Sequence, residues 1–136
     1  IKKKHPDKEL TLINANFFDY YFGIEAFDVA ISFQALHHFS HEDKIALYTK
    51  VCNALIPNGI YIECDYMAPN QEYEDFYYKE YERLRAEMGL PDGVLYHYDT
   101  PCTVENQIKM LLMAGFSKVN KVWQRGNTVI LVATKH

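Results

Sequence analysis

The stretch that most constrains this chain is Phe27 to Phe39, FDVAISFQALHHF. Val29, Ala30 and Ile31 are apolar at successive positions, which is not the alternation of a strand with one wet face. The pattern predicts a strand over Phe27–Ser32 covered on both faces, as parallel strands inside α/β sheets are. A loop follows, and then a helix starting near Ser40. In such sheets ligands bind where the carboxyl ends of strands meet the following loops. Here that edge is Ser32, Phe33, Gln34, Leu36, His37 and His38.

The rest of the chain supplies the layers around it. Lys2–Lys8 is basic and polar and reads as a frayed end followed by a turn. Leu10–Ala15 is a short strand candidate, and Asn16–Ala26 is a loop whose Phe17, Phe18, Tyr20, Tyr21 and Phe22 read as packing on a core. Ser40 is a good N-cap, with Glu42 and Asp43 in the first turn where carboxylates favour the helix dipole. Ile45, Tyr48, Val51, Cys52 and Leu55 recur at helical spacing, and Pro57-Asn58-Gly59 stops the run. Ile60–Tyr66 reads as a second strand. Pro69-Asn70 opens a second helix, roughly Gln71–Met88, with Tyr73, Tyr77, Tyr81, Leu84 and Met88 on one stripe. Val94–Thr100 is irregular. Thr103 then caps a third helix, Val104–Ala114, with Gly115 beyond its end. Lys118–Gln124 and Thr128–Ala133, joined by Arg125-Gly126-Asn127, predict an antiparallel hairpin.

Length and composition bound the function. The chain has 136 residues, 49% of them hydrophobic, which suits one domain with a real core. A net charge of -4 gives no general basic face for nucleic acid. Cys52, Cys64 and Cys102 form no CxxC, so the expectation is reduced thiols and a cytoplasmic protein. No apolar run approaches a membrane span and no signal peptide is visible. The first residue is Ile1, so the natural start is expected to lie upstream.

Four segments, in order, resemble the second half of a class I S-adenosylmethionine-dependent methyltransferase. FDVAISFQALHHF resembles that family's fourth strand and the loop after it. ALIPNGIYIECDY resembles its helix end, Pro-Gly-Gly turn and fifth strand. TVENQIKMLLMAGFSKV resembles the next helix, "AGF" turn and sixth strand, and NTVILVATK its antiparallel seventh strand. The layout also looks like bacterial carboxymethoxyuridine tRNA-modifying methyltransferases. The resemblance implies a partial Rossmann-like α/β fold, with parallel strands, a C-terminal antiparallel hairpin and helices on both faces. It implies a single truncated domain over 1–136, because the glycine-rich first-strand turn and the acidic end of the second strand are absent. The family's strand order is 3-2-1-4-5-7-6. On that reading Leu10–Ala15 either pairs directly with Phe27–Ser32, or the chain self-associates through the edge at Val29–Ile31.

The resemblance implies S-adenosyl-L-methionine as cofactor and a small-molecule or tRNA acceptor, with no membrane partner. Asn16 and Phe17 would approach the adenine, Ser32 and Phe33 would offer carbonyls to the methionine ammonium, and Leu36 and His37 would line the methyl side. Methyl transfer from a sulfonium needs mainly alignment and exclusion of water. His37 is a candidate base or substrate contact. Asp65 and Tyr66 end the strand beside the same cleft, where Asp65 either orients an acceptor or caps a loop. Tyr73, Tyr77 and Tyr81 form either a stacking wall or a packed helix face, and Tyr96, His97 and Tyr98 form a similar candidate lid. Arg83 and Arg85 read as a solvated face. His37, His38 and His41 carry no HExxH pattern, and His37 and His38 are expected to point different ways, so no metal is expected. The alternative function is a non-catalytic fragment or interaction module that does not hold cofactor.

Overall fold

The computed structural model describes residues 3–94 and 96–136; the expectations that touch Lys2 and Leu95 lie outside the described residues. Among the described residues seven elements follow in order: β1 (Phe27–Phe33), α1 (His41–Ala54), β2 (Leu55–Tyr66), α2 (Gln71–Glu87), α3 (Val104–Met113), β3 (Lys118–Arg125) and β4 (Thr128–Thr134). They build one mixed sheet in the order β1-β2-β4-β3. The β1–β2 pair is parallel, and β4 runs antiparallel to both β2 and β3.

The caps read from sequence form as expected. Ser40, Asn70 and Thr103 each accept a hydrogen bond from a backbone N–H three residues on, which satisfies one otherwise unpaired amide at each helix start. Between α1 and β2 the chain turns without a loop. Pro57, Asn58 and Gly59 do not separate helix from strand; they are a bulge inside β2, where the register jumps from Phe27↔Leu55 to Val29↔Ile60. A Cβ on Gly59 would lie 2.8 Å from the Ile56 carbonyl oxygen, so only glycine fits there.

The core lies on one face. Tyr48, Cys52 and Leu55 meet Tyr61, Met110, Leu111, Phe116, Val129 and Leu131. Helices were expected on both faces. The two that pack on the sheet, α1 and α3, share the face carrying Glu63: Tyr48 of α1 and Gln107 of α3 both hydrogen-bond its carboxylate. Helix α2 is joined to the body beyond that face, by Tyr78 Oη donating to the Phe39 carbonyl and by Glu74 accepting from Thr103 N–H.

Two further expectations need correction. β1 is not covered on both faces. Phe27, Val29, Ile31 and Phe33 are 46–71% exposed, because β1 is the sheet's edge strand and its outward side chains meet no helix. Leu10–Ala15 forms no strand and does not pair with β1. The aromatic loop after it is anchored to α1 instead. Lys50 Nζ donates to the carbonyls of Phe17 and Phe18 and lies over the Phe22 ring, and both phenylalanines pack edge-on against Phe39. Those contacts hold residues 16–22 beside α1 and leave Leu12 and Ile13 exposed.

Candidate functional site

The site is built at the carboxyl ends of β1 and β2. After Phe33 the chain takes a left-handed conformation at Gln34 (φ 50°), whose N–H donates to the Cys64 carbonyl. A non-glycine residue in this region carries a strain cost and is held there by its surroundings. The turn delivers Leu36 N–H to Asp65 Oδ2 at 3.0 Å and His37 Nδ1 to Asp65 Oδ1 at 2.6 Å. Asp65 Oδ1 also accepts Tyr66 N–H. Asp65 is buried, so these contacts replace the water it has lost. Of the two sequence readings, the loop-capping one describes these contacts; the Asp65 carboxylate also fixes the His37 imidazole, which sequence reading did not anticipate.

With Nδ1 committed to Asp65, His37 turns Nε2 toward Asp99 Oδ1. Its pKa is raised, chiefly by the hydrogen bond to Asp65, against the lowering effect of burial. The Tyr66 ring lies edge-on to His37 at 6.3 Å. Hydrogen bonding to Tyr73, and then burial, raise the Tyr66 phenol.

The expectation that His37 and His38 point different ways is wrong. Their rings lie 3.9 Å apart, and both face Asp99 Oδ1, at 3.6 Å from His37 Nε2 and 3.1 Å from His38 Nδ1. Asp99 comes from a distant segment. Thr100 fastens that segment over the loop by donating its N–H to the His37 carbonyl and its hydroxyl to the Phe39 carbonyl. Nothing in the spacing of His37 and His38 announces a third group arriving from sixty residues away.

The tyrosines form a continuous aromatic wall. Tyr73 and Tyr77 pack at 4.8 Å with hydroxyls 3.0 Å apart. Tyr77 approaches Tyr98, and Tyr81, Tyr96 and Tyr98 stack at 6.2–6.5 Å. These rings are half-buried, and the fully buried residue of α2 is Glu74, which lies off their stripe. Arg83 pairs with Glu80 and Glu87 on the exposed side. Arg85 is different, donating to the carbonyls of Pro91 and Val94 and so closing the loop after α2.

Five of the six predicted cofactor residues divide between two grooves, and His37 lines neither. Phe17, Ser32, Phe33 and Leu36 line an apolar groove of about 500 Å³ along β1, with Leu47, Val51 and Tyr61 at its floor. Asn16 opens on a neighbouring groove of about 690 Å³, bounded by Phe39, Ser40, Tyr81 and Arg85, and Phe17 borders both. The Asn16 side-chain oxygen already accepts Phe18 N–H, which leaves it one lone pair.

Sequence reading missed three buried polar groups. Lys44 donates to the Thr100 carbonyl and Cys102 Sγ. Glu63 joins Tyr48 and Gln107. Glu74 accepts from Thr103, Gln71 and Asn106. The signal for Glu63 was present, since it alternates in register with the buried Tyr61. A lysine and a glutamate on helices otherwise read as solvated.

The sheet order β1-β2-β4-β3 is the order of the last four strands, 4-5-7-6, of the fold that the sequence resembles. This is the class I methyltransferase fold. A family model described as a methyltransferase domain matches residues 1–62. No curated protein matches the sequence. Among solved structures, the YcgJ protein of Bacillus subtilis superposes with TM-score 0.70 at 11% identity, over 98% of this chain and 74% of its own. A candidate O-methyltransferase from Nostoc punctiforme is 21% identical with TM-score 0.65, over 90% of this chain. Human N-acetylserotonin methyltransferase, solved in complex with SAM, is 15% identical with TM-score 0.63, also over 90% of this chain. This methyltransferase-fold chain spans 36% of the Nostoc protein's length and 33% of the human enzyme's. Among the described residues, no helix is long and apolar enough to cross a membrane.

Proposed function

We propose that the protein transfers a methyl group from S-adenosyl-L-methionine to a small molecule or a tRNA nucleotide. The observation that carries this reading is the fixed His37–Asp65 pair at the carboxyl edge of a methyltransferase-type sheet, with an apolar groove on one side and a tyrosine wall on the other. The groove along β1 suits the flat adenine ring and the hydrocarbon part of the cofactor, whose charged groups would turn to polar atoms at its edge. Its walls are apolar, and as an edge strand β1 has carbonyls that face no neighbouring strand. Phe17, Ser32, Phe33 and Leu36 would hold the cofactor, with Asn16 reaching it from the adjoining groove. When bound, the cofactor supplies an electrophilic methyl group with a neutral thioether as leaving group.

The chain's own residues then have three tasks. Tyr73, Tyr77 and Tyr96 form a face on which a flat acceptor stacks. Tyr66 and His37 border its reacting end, and His37 offers a lone pair on Nε2 whose direction Asp65 sets. The wall and the apolar groove exclude water, so that positioning carries most of the rate. The test is an assay of the full-length protein with radiolabelled S-adenosylmethionine against metabolite and tRNA pools. Label entering one fraction, and lost in Asp65→Asn, supports the reading; no transfer to any pool, with the cofactor unbound, defeats it.

A second reading has one observation in its favour. The exposed side chains of Phe27, Val29, Ile31 and Phe33 on the edge strand suit association with another strand or another copy. Sedimentation of the full-length protein as a monomer would remove it.

A further inference from the structure

We propose that His37, His38 and Asp99 form a binding site for a first-row divalent cation of the zinc or iron(II) type. The three donor atoms already converge. His38 Nδ1 lies 3.1 Å from Asp99 Oδ1, and His37 Nε2 lies 3.6 Å from the same oxygen. All three donors fall within 4.8 Å of one another. Ligands about 2.1 Å from a common ion stand roughly 3.0 Å apart at a right angle and roughly 3.4 Å apart at the tetrahedral angle. The 3.1 Å separation lies between those values and the 3.6 Å separation a little above them, so small side-chain adjustments would complete a site.

Two further observations point to a cation rather than to an ordinary polar contact. His38 Nδ1 is buried and makes no hydrogen bond, although an Asp99 oxygen is within reach. The alignment that a shared proton needs is missing, and a cation bound by both groups would satisfy the imidazole nitrogen and the carboxylate oxygen together. Secondly, the other nitrogen of His37 is bound to the buried carboxylate of Asp65 at 2.6 Å. A carboxylate behind the imidazole is the outer-shell arrangement that fixes a metal-binding histidine's tautomer and direction. Two imidazoles and one carboxylate form a borderline donor set with open positions, which suits zinc or iron(II) over calcium or magnesium.

A second cluster, His41, Glu74 and Cys102, has comparable spacing but different chemistry. There the Lys44 ammonium stands 3.2 Å from Cys102 Sγ, and both Glu74 oxygens accept hydrogen bonds. A cation already occupies that place. On the methyl-transfer reading, which this last step requires, the cation would take the Nε2 lone pair that His37 otherwise offers to the acceptor, and the acceptor would meet the cation's open positions through an oxygen.

The test is titration of chelator-treated full-length protein with Co²⁺ at neutral pH, followed by visible absorption and by calorimetry. The expected result is one Co²⁺ per chain, displaced by Zn²⁺, with affinity falling about 10–100-fold or more in His38→Ala and in Asp99→Asn and unchanged in Cys102→Ser. Asp99 is exposed, so its variant keeps the fold, which circular dichroism verifies. Absence of stoichiometric binding overturns the proposal. So does full-strength binding in both variants, or binding that Cys102→Ser abolishes. S-adenosylmethionine binding on the same samples separates the two ideas: cofactor without metal defeats this proposal alone, and metal without cofactor defeats the methyl-transfer reading alone.

Discussion

Glu74 gives the most quantitative test of how the site is held. Its carboxylate is buried on α2 and accepts from Thr103 N–H at 2.7 Å, Gln71 Nε2 at 2.8 Å and Asn106 Nδ2 at 2.8 Å, with His41 Nε2 3.5 Å away. Burial alone would raise its pKa. The facing histidine and the donors overcome that and hold it at about 2, below the ordinary 4.5. Each pH unit of such a displacement is worth about 1.4 kcal/mol, so the ionised carboxylate contributes roughly 3 kcal/mol. Because the folded value lies below the unfolded one, this stability is fully present above about pH 4.5 and is lost as pH falls toward about 2. Glu74→Gln keeps an acceptor but removes the charge, so its deficit against wild type should be about 2–3 kcal/mol at neutral pH and shrink through that acid window. Glu74→Ala leaves three donors facing a cavity and should cost about 3–5 kcal/mol at neutral pH. Urea denaturation at a series of pH values measures both. A Glu74→Gln deficit that stays constant from neutral pH down to acid would refute the linkage, and an alanine variant as stable as wild type would refute the network.

Glu63 should behave in the opposite sense. Full burial, with Asp65 close by, raises its pKa to about 7, so its ionisation opposes folding as pH rises from about 4.5 through about 7. Glu63→Gln should therefore gain stability relative to wild type in mildly alkaline buffer, by about 1–3 kcal/mol, as thermal melts across that range would report; a gain confined to acid would contradict the assignment. Asp65→Asn should lower the transfer rate about 100-fold or more while leaving S-adenosylmethionine affinity within a few-fold, since asparagine keeps one oxygen to accept the N–H of the groove residue Leu36 but loses the charge that holds His37; equal losses in both would mean that Asp65 serves only the fold. Gly59→Ala should destabilise by about 1–3 kcal/mol, because the added carbon meets the backbone oxygens of Ile56 and Asp28; an unchanged denaturation midpoint would show that the bulge yields.

The sheet was legible because its information is local. Alternating or continuous apolar runs predicted all four of its strands, and cap residues predicted all three helix starts. Leu10–Ala15 has the composition of a strand but no neighbour to pair with, and composition alone does not supply hydrogen-bond partners. The covering of β1 was misread for a related reason. An apolar run reports what a strand can tolerate, whereas exposure depends on which elements lie beside it. Lys44 and Glu74 were hidden because a charged residue on a helix is solvated by default. Their burial depends on Thr100, Cys102 and Thr103, which the sequence places after an irregular segment. Asp99 was hidden in the same way.

The segment from Asp99 to Thr103 therefore does more than connect α2 to α3. Thr100 binds the histidine loop, Cys102 and the Thr100 carbonyl receive Lys44 from α1, and Thr103 N–H receives Glu74 from α2 while its side chain caps α3. Three helices and the loop bearing His37 thus meet on five consecutive residues. In that arrangement the position of Asp99 relative to His37 and His38 is set by Thr100 immediately after it, so weakening the Thr100 contacts should loosen the cluster even with all three side chains intact. It also explains how an exposed carboxylate can be held near two half-buried imidazoles: the backbone beside it is fixed by buried hydrogen bonds, and the freedom left to Asp99 is that of one short side chain.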